Sequence, residues 1–133
     1  MKEVGILGYP LGHTLSPVIH EAGYKELKLD IKFNIWDVEP EKLENKVLEL
    51  RENNILGSCV TLPHKKSVIS FIDELDESAE EMDAVNWIVN NNGRLVGYNT
   101  DWIGFTESLK FYEKKIQDKN CSVSYTHLRA HET

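Results

Sequence analysis

Short strand-like runs alternate with helix starts along nearly the whole chain, and this alternation restricts the fold more than any other feature. Residues 3–9 form an apolar run, Val4-Gly5-Ile6-Leu7, closed by Gly8-Tyr9-Pro10, which predicts a buried first strand. After a loop, Ser16 is predicted as the N-cap of a helix with Pro17 at its first position, and Ile19, Ala22, Gly23 and Leu27 can share one face. Residues 31–38 alternate, with Ile31, Phe33 and Ile35 set against Lys32 and Asn34, as a half-buried strand does. Pro40 opens a second helix carrying Leu43, Val47 and Leu50, and Asn53-Asn54 ends it. Residues 58–62 read as a third strand stopped by Pro63, and residues 65–72 have helical spacing at Val68, Ile69 and Ile72.

The acidic stretch 73–83 reads as a solvated helix-and-turn segment. Runs 84–89 and 95–98 flank Asn90-Asn91-Asn92-Gly93, a strong hairpin signal, and a last helix starts near Asp101 with Ile103, Phe105 and Leu109. The expectation is an α/β domain, a mostly parallel mixed β-sheet flanked by helices, without internal repeats.

Composition narrows the function. The 133 residues suffice for one domain with a core, and 41% hydrophobic with 28% charged residues is ordinary for a globular chain. A net charge of -7 argues against a nucleic-acid partner, which needs a basic face, but not against a small anion held in a local pocket. No apolar run approaches the ~20 residues that cross a bilayer, so no membrane partner is expected. Met1-Lys2-Glu3 leads straight into the first strand without a signal-peptide pattern. Cys59 and Cys121 have neither metal spacing nor a disulfide framework, so a reducing cytoplasm is the expected location. His127 and His131 stand four residues apart but have no third ligand nearby, and no metal is expected.

Four polar clusters fall at predicted strand ends, where open α/β sheets bind ligands. They are Gly12-His13-Thr14-Leu15-Ser16-Pro17, Val60-Thr61-Leu62-Pro63-His64-Lys65, Ala84-Val85-Asn86, and Gly97-Tyr98-Asn99-Thr100-Asp101. The first leads into a helix N-terminus, whose free N–H groups favour an anion, and Thr14 and Ser16 add hydroxyls. The plainer reading is that Ser16 only caps its helix, that Lys65 is a solvated lysine and that Asp101 is another cap. As a pair converging on one hydroxyl, Lys65 and Asp101 can move a proton.

In this order the segments resemble the shikimate dehydrogenase family, from about Val4 to Val123. The family's SLSP-type loop, NVT-x-P-x-K, GAVNT and G-x-NTD-x-x-G segments correspond to His13–Pro17, Cys59–Lys65, Asp83–Trp87 and Gly97–Gly104. The resemblance implies that Thr14 and Ser16 hold the shikimate carboxylate, while Thr61, Lys65, Asn86 and Asp101 surround the ring hydroxyls. It assigns Lys65 and Asp101 to proton transfer at the C3 oxygen. NADPH would reduce 3-dehydroshikimate to shikimate on the chorismate route to aromatic amino acids. Lys65 is the better candidate for general acid and Asp101 for orienting partner, with the reverse assignment left open. Three residues depart from the pattern: Thr14 for serine, Cys59 for asparagine and Trp87 for threonine. The last two leave room for a shift in affinity or substrate.

A family member continues into a dinucleotide-binding domain opened by a glycine-rich loop. No two glycines here stand two positions apart, so the chain contains no G-x-G-x-x-G and no cofactor-binding residues are expected in it. Residues 1–112 are expected to be the substrate-binding domain, and 113–122 a linker and the start of the NADP-binding domain. Residues 123–133 can be back-translated into a sequence resembling a transposase-type sequencing adapter, and are expected to be a non-native tail. The chain alone is then expected to be inactive. Two alternatives accompany this reading: a quinate/shikimate dehydrogenase with relaxed substrate or NAD use, and a stand-alone shikimate-binding regulatory module without catalysis.

Overall fold

A computed structural model describes residues 1–115, 117–120 and 122 of the chain. Six strands and five helices follow in the order β1 (Lys2–Gly8), α1 (Ser16–Glu26), β2 (Ile31–Asp37), α2 (Leu43–Glu49), β3 (Ile55–Val60), α3 (His64–Ser67), β4 (Glu74–Leu75), α4 (Glu77–Glu80), β5 (Trp87–Asn91), β6 (Arg94–Tyr98) and α5 (Asp101–Phe111). Short 3-10 turns lead into α2 and extend α3. The strands form one sheet in the order β2-β1-β3-β5-β6-β4. β1 runs parallel to both β2 and β3, β5 is antiparallel to β3 and β6, and β4 joins β6 in parallel. This is the expected mixed α/β sheet flanked by helices.

The apolar run of β1 is buried because the strand is central and both its faces are covered. Leu7 faces a core with Leu43, Val47 and Leu50 of the α2 segment, while Val4 and Ile6 face a smaller core with Phe33 and Leu11. The helical spacing at Leu43, Val47 and Leu50 is therefore the packing face of α2. Asn92 and Gly93 have φ of +53° and +89° and link Asn91 to Arg94, the two-residue turn that the Asn-Gly signal predicts. Asn90 secures that turn by accepting from Gly93 N–H, and its amide donates to the carbonyls of Leu50, Glu52 and Ile55.

Four expectations change. β3 begins at Ile55 rather than residue 58 and ends at Val60, since Ile55 is already paired with Glu3 of β1. β5 begins at Trp87 rather than residue 84, because Ala84 to Asn86 are held by contacts to α4, Lys65 and Tyr98. The stretch 73–83 is not wholly solvated: Leu75 joins β4 and packs against the larger core, and Ala79 of α4 and Met82 in the turn after it are buried. The fourth change concerns α1, whose predicted apolar face is wrong. Ile19 and Leu27 are 67% and 68% exposed, and the side toward the sheet carries Ser16, Pro17, His20 and Tyr24. The His20 and Tyr24 rings satisfy each other's polar atoms, so a polar-aromatic stripe packs where an aliphatic one is predicted.

Candidate active site

The topology gathers the four polar clusters at one edge of the sheet. β1, β3 and β6 run in the same direction, so the loops after Gly8, Val60 and Tyr98 leave the same edge, and antiparallel β5 starts there at Trp87. The backbone stitches these ends together: Thr61 N–H donates to Leu7 O at 2.9 Å, Val60 N–H to Asn86 O at 2.7 Å and Asn86 N–H to Tyr98 O at 3.0 Å. Gly8 permits the tight junction, since a Cβ there would lie 2.5 Å from the Thr61 methyl and 2.8 Å from Leu11.

Thr14, Ser16 and Thr61 line an open cleft of about 840 Å³ between the β1–α1 loop and the end of β3. Ile6, Leu11 and Leu62 give the cleft apolar walls, and the hydroxyls supply its polar points. Thr14 Oγ1 accepts from Ser16 N–H at 3.2 Å, and Ser16 is the first residue of α1 rather than its cap, which is Leu15. The cap predicted at Ser16 thus falls one residue earlier, and the Thr14 hydroxyl accepts from the first N–H of the helix.

Lys65, Asn86 and Asp101 form a second group, joined to the cleft by the turn in which His64 N–H donates to Thr61 O at 3.0 Å. Lys65 Nζ donates to Asp101 Oδ2 at 2.7 Å, with side chains 16% and 26% exposed. Asn86 Nδ2 donates to Asp101 Oδ1 at 3.0 Å and to Thr100 Oγ1 at 2.8 Å. Asp101 is the first residue of α5, and Thr100 rather than Asp101 is its cap position. An oriented ammonium beside a half-buried carboxylate is a geometry suited to proton transfer.

Residues not singled out from sequence hold this group in place. Asn99 is fully buried, accepts from Asp101 N–H at 3.0 Å and donates to Ala84 O at 3.0 Å. Behind it, Ser78 Oγ accepts from Asn99 N–H and donates to Asp76 Oδ2, while Trp102 Nε1 donates to Ser78 O. His64, also buried, donates from Nε2 to Val38 O at 2.6 Å and ties α3 to the end of β2. Asn99 and His64 stand inside the quoted clusters, but Ser78 has no local signal because its role depends on where α4 docks.

Cys59, where the family pattern has asparagine, is half-buried, and burial pushes its thiol up to about 12. Its Sγ lies 3.8 Å from His20 Nε2. Burial also holds the His20 imidazole below its ordinary range. No group of three or more His, Cys, Asp or Glu among the described residues could hold a metal ion; Cys121, His127 and His131 lie outside them. No described helix is long and apolar enough to cross a membrane.

Fold and cleft together define an α/β domain with polar side chains gathered at the carboxyl edge of its sheet. The chain belongs to the shikimate dehydrogenase family, since the family model for the shikimate dehydrogenase substrate binding domain matches residues 6–88. The NADP(+)-type shikimate dehydrogenase of Shouchella clausii is 46% identical over 108 residues, covering 81% of this chain and 39% of the relative. That of Caldanaerobacter subterraneus is 43% identical over 122 residues, 92% of this chain and 44% of the relative. The chain thus spans about two fifths of the length of these relatives. Shikimate 5-dehydrogenase from Thermus thermophilus, solved with NADP(H) and shikimate, superposes with a TM-score of 0.80 at 34% identity, over 87% of this chain and 44% of that one.

Proposed function

We propose that this chain is the shikimate-binding part of an NADP-dependent shikimate dehydrogenase, which reduces 3-dehydroshikimate to shikimate in the pathway to aromatic amino acids. The observation that carries the reading is the Lys65–Asp101 contact at 2.7 Å, steadied by Asn86, beside a cleft lined by three hydroxyl side chains. Relatives that carry the NADP(+)-dependent name, and a neighbour solved with shikimate, support the substrate and cofactor.

In this reading Thr14 and Ser16 grip the carboxylate, and Thr61, Asn86 and Asp101 orient the ring hydroxyls. Reduction of the C3 carbonyl needs one hydride and one proton. NADPH supplies the hydride, held by a part of the protein other than the described residues. Lys65 gives its proton to the developing alkoxide, and Asp101 holds the ammonium in line and accepts from the substrate hydroxyl. Residues 1–112 are the substrate-binding unit, 113–122 lead toward the cofactor domain, and 123–133, which lie outside the described residues, are a non-native tail. A cytoplasmic location accompanies this assignment.

Relaxed substrate use is the second reading, and the residues that favour it are Cys59 and Trp87, where an amide and a small hydroxyl are replaced. Calorimetric titration of the 133-residue chain with shikimate and with quinate tests both readings. Saturable shikimate binding with quinate at least about tenfold weaker supports the first. Equal affinity supports the second, and binding of neither ligand refutes both.

A further inference from the structure

α1 contains no buried residue, so its hold on the sheet depends on its half-buried stripe. Ser16, His20 and Tyr24 are spaced four residues apart on that stripe, one turn above another. His20 is its centre. Its ring stacks on Phe33 of β2 with centroids 4.6 Å apart, and lies nearly parallel to Trp87 of β5 at 6.1 Å and 11°. Nδ1 meets Tyr24 OH at 3.2 Å, and Nε2 faces Cys59 Sγ at 3.8 Å.

Cys59 and Trp87 are register partners across β3 and β5, and Thr61 lies two residues beyond Cys59 on the same face. The two strand positions that depart from the family pattern therefore converge on one imidazole, directly below the helix that presents Ser16. A thiol that burial pushes up to about 12 and an imidazole held low by burial are both neutral near pH 7, so flat rings can pack here without an unpaired charge.

We propose that His20 is a positioning residue of the candidate site: clamped against Phe33, Trp87 and Cys59, it sets the seating of α1 and thereby the placement of Thr14 and Ser16 over the cleft. This inference rests on the proposed shikimate site. The helix is rigid across one turn, so a shift at His20 is passed to Ser16, while Lys65 and Asp101 sit on other elements and are not moved.

Titration of the full chain with shikimate, followed by NMR amide shifts, tests it through His20→Ala, His20→Phe, Ser16→Ala and the double variant. His20→Ala is expected to weaken shikimate binding about tenfold, and His20→Phe, which keeps the stack, to stay within about twofold of the unsubstituted chain. In the Ser16→Ala background the His20→Ala effect should largely vanish, because the group it positions is gone. A folded His20→Ala chain with unchanged affinity overturns the inference, as does a loss of equal size with and without Ser16. If His20→Ala loses its amide dispersion, Trp87→Leu takes its place, and unchanged affinity there is equally contrary. Absence of binding by the unsubstituted chain overturns the proposed function and this inference together, whereas a failure confined to the variants overturns this inference alone.

Discussion

Asp101 accepts from both Lys65 Nζ and Asn86 Nδ2, and each partner has a separate consequence if removed. The ion pair is neither exposed nor fully buried, so its loss should cost about 1–2 kcal/mol of stability, between the values for surface and buried pairs. Asp101→Asn keeps the shape and removes the charge. It should lower thermal stability modestly and weaken shikimate binding about tenfold or more, read by differential scanning fluorimetry and calorimetry. A different titration governs stability near neutral pH. His20 has a folded pKa below its ordinary 6.5, mainly through burial, so the unfolded chain binds the proton more readily. Its contribution is whole above pH 6.5 and is lost as pH falls below that value toward the folded pKa. Urea titrations at stepped pH should show this decline in the unsubstituted chain and not in His20→Phe. Asp73, held low chiefly by the Arg51 side chain, and Asp76, held low by Ser78, contribute at all pH values above about 3.8 and fail only below it. The two windows are therefore separable.

At the scale of elements, the site depends on junctions rather than on any single helix or strand. Asn99 joins β6 to α5 and both to Ala84, and it is buried, so Asn99→Ala leaves a carbonyl and an N–H without their partner. The expected cost is about 2–3 kcal/mol in denaturant unfolding, together with weaker shikimate binding as Asp101 loses its backbone anchor. Gly8→Ala presses a methyl into Thr61 and Leu11 and should cost about 1–3 kcal/mol, with amide shifts centred on Thr61. A loss below measurement in either variant would mean that the junction relaxes freely. Elements whose cues are local were legible in the sequence: the Asn92-Gly93 turn, the α2 face and the apolar β1 run. α1 and residues 73–83 were misread because burial there depends on partners elsewhere. His20 looks polar until Phe33 and Trp87 lie beneath it, and Leu75, Ala79 and Met82 look sparse until the fold packs over them. All six candidate site residues come from motif resemblance, but the backing of Asp101 by Asn99, Ser78 and Asp76 does not, since it arises only when α4 packs against β6.

For the whole molecule, the proposed function gives the described residues one half of a two-reactant chemistry, with groups for a carboxylate and for a proton gathered at one edge of the sheet. The 133-residue chain should therefore bind shikimate without oxidising it, and an assay with NADP and shikimate should yield no NADPH; measurable turnover would show that a cofactor seat exists in this chain. The topology brings the ends of β1, β3, β5 and β6 to one edge, where all six candidate site residues lie. The most direct measurement is an NMR titration of the isotopically labelled chain with shikimate, mapping which amides respond. Saturable shifts clustered at Thr14, Ser16, Thr61, Lys65, Asn86 and Asp101, and much reduced in Asp101→Asn, are the expected result. Shifts that never saturate, or that cluster away from the edge where Lys65 meets Asp101, would contradict the assignment.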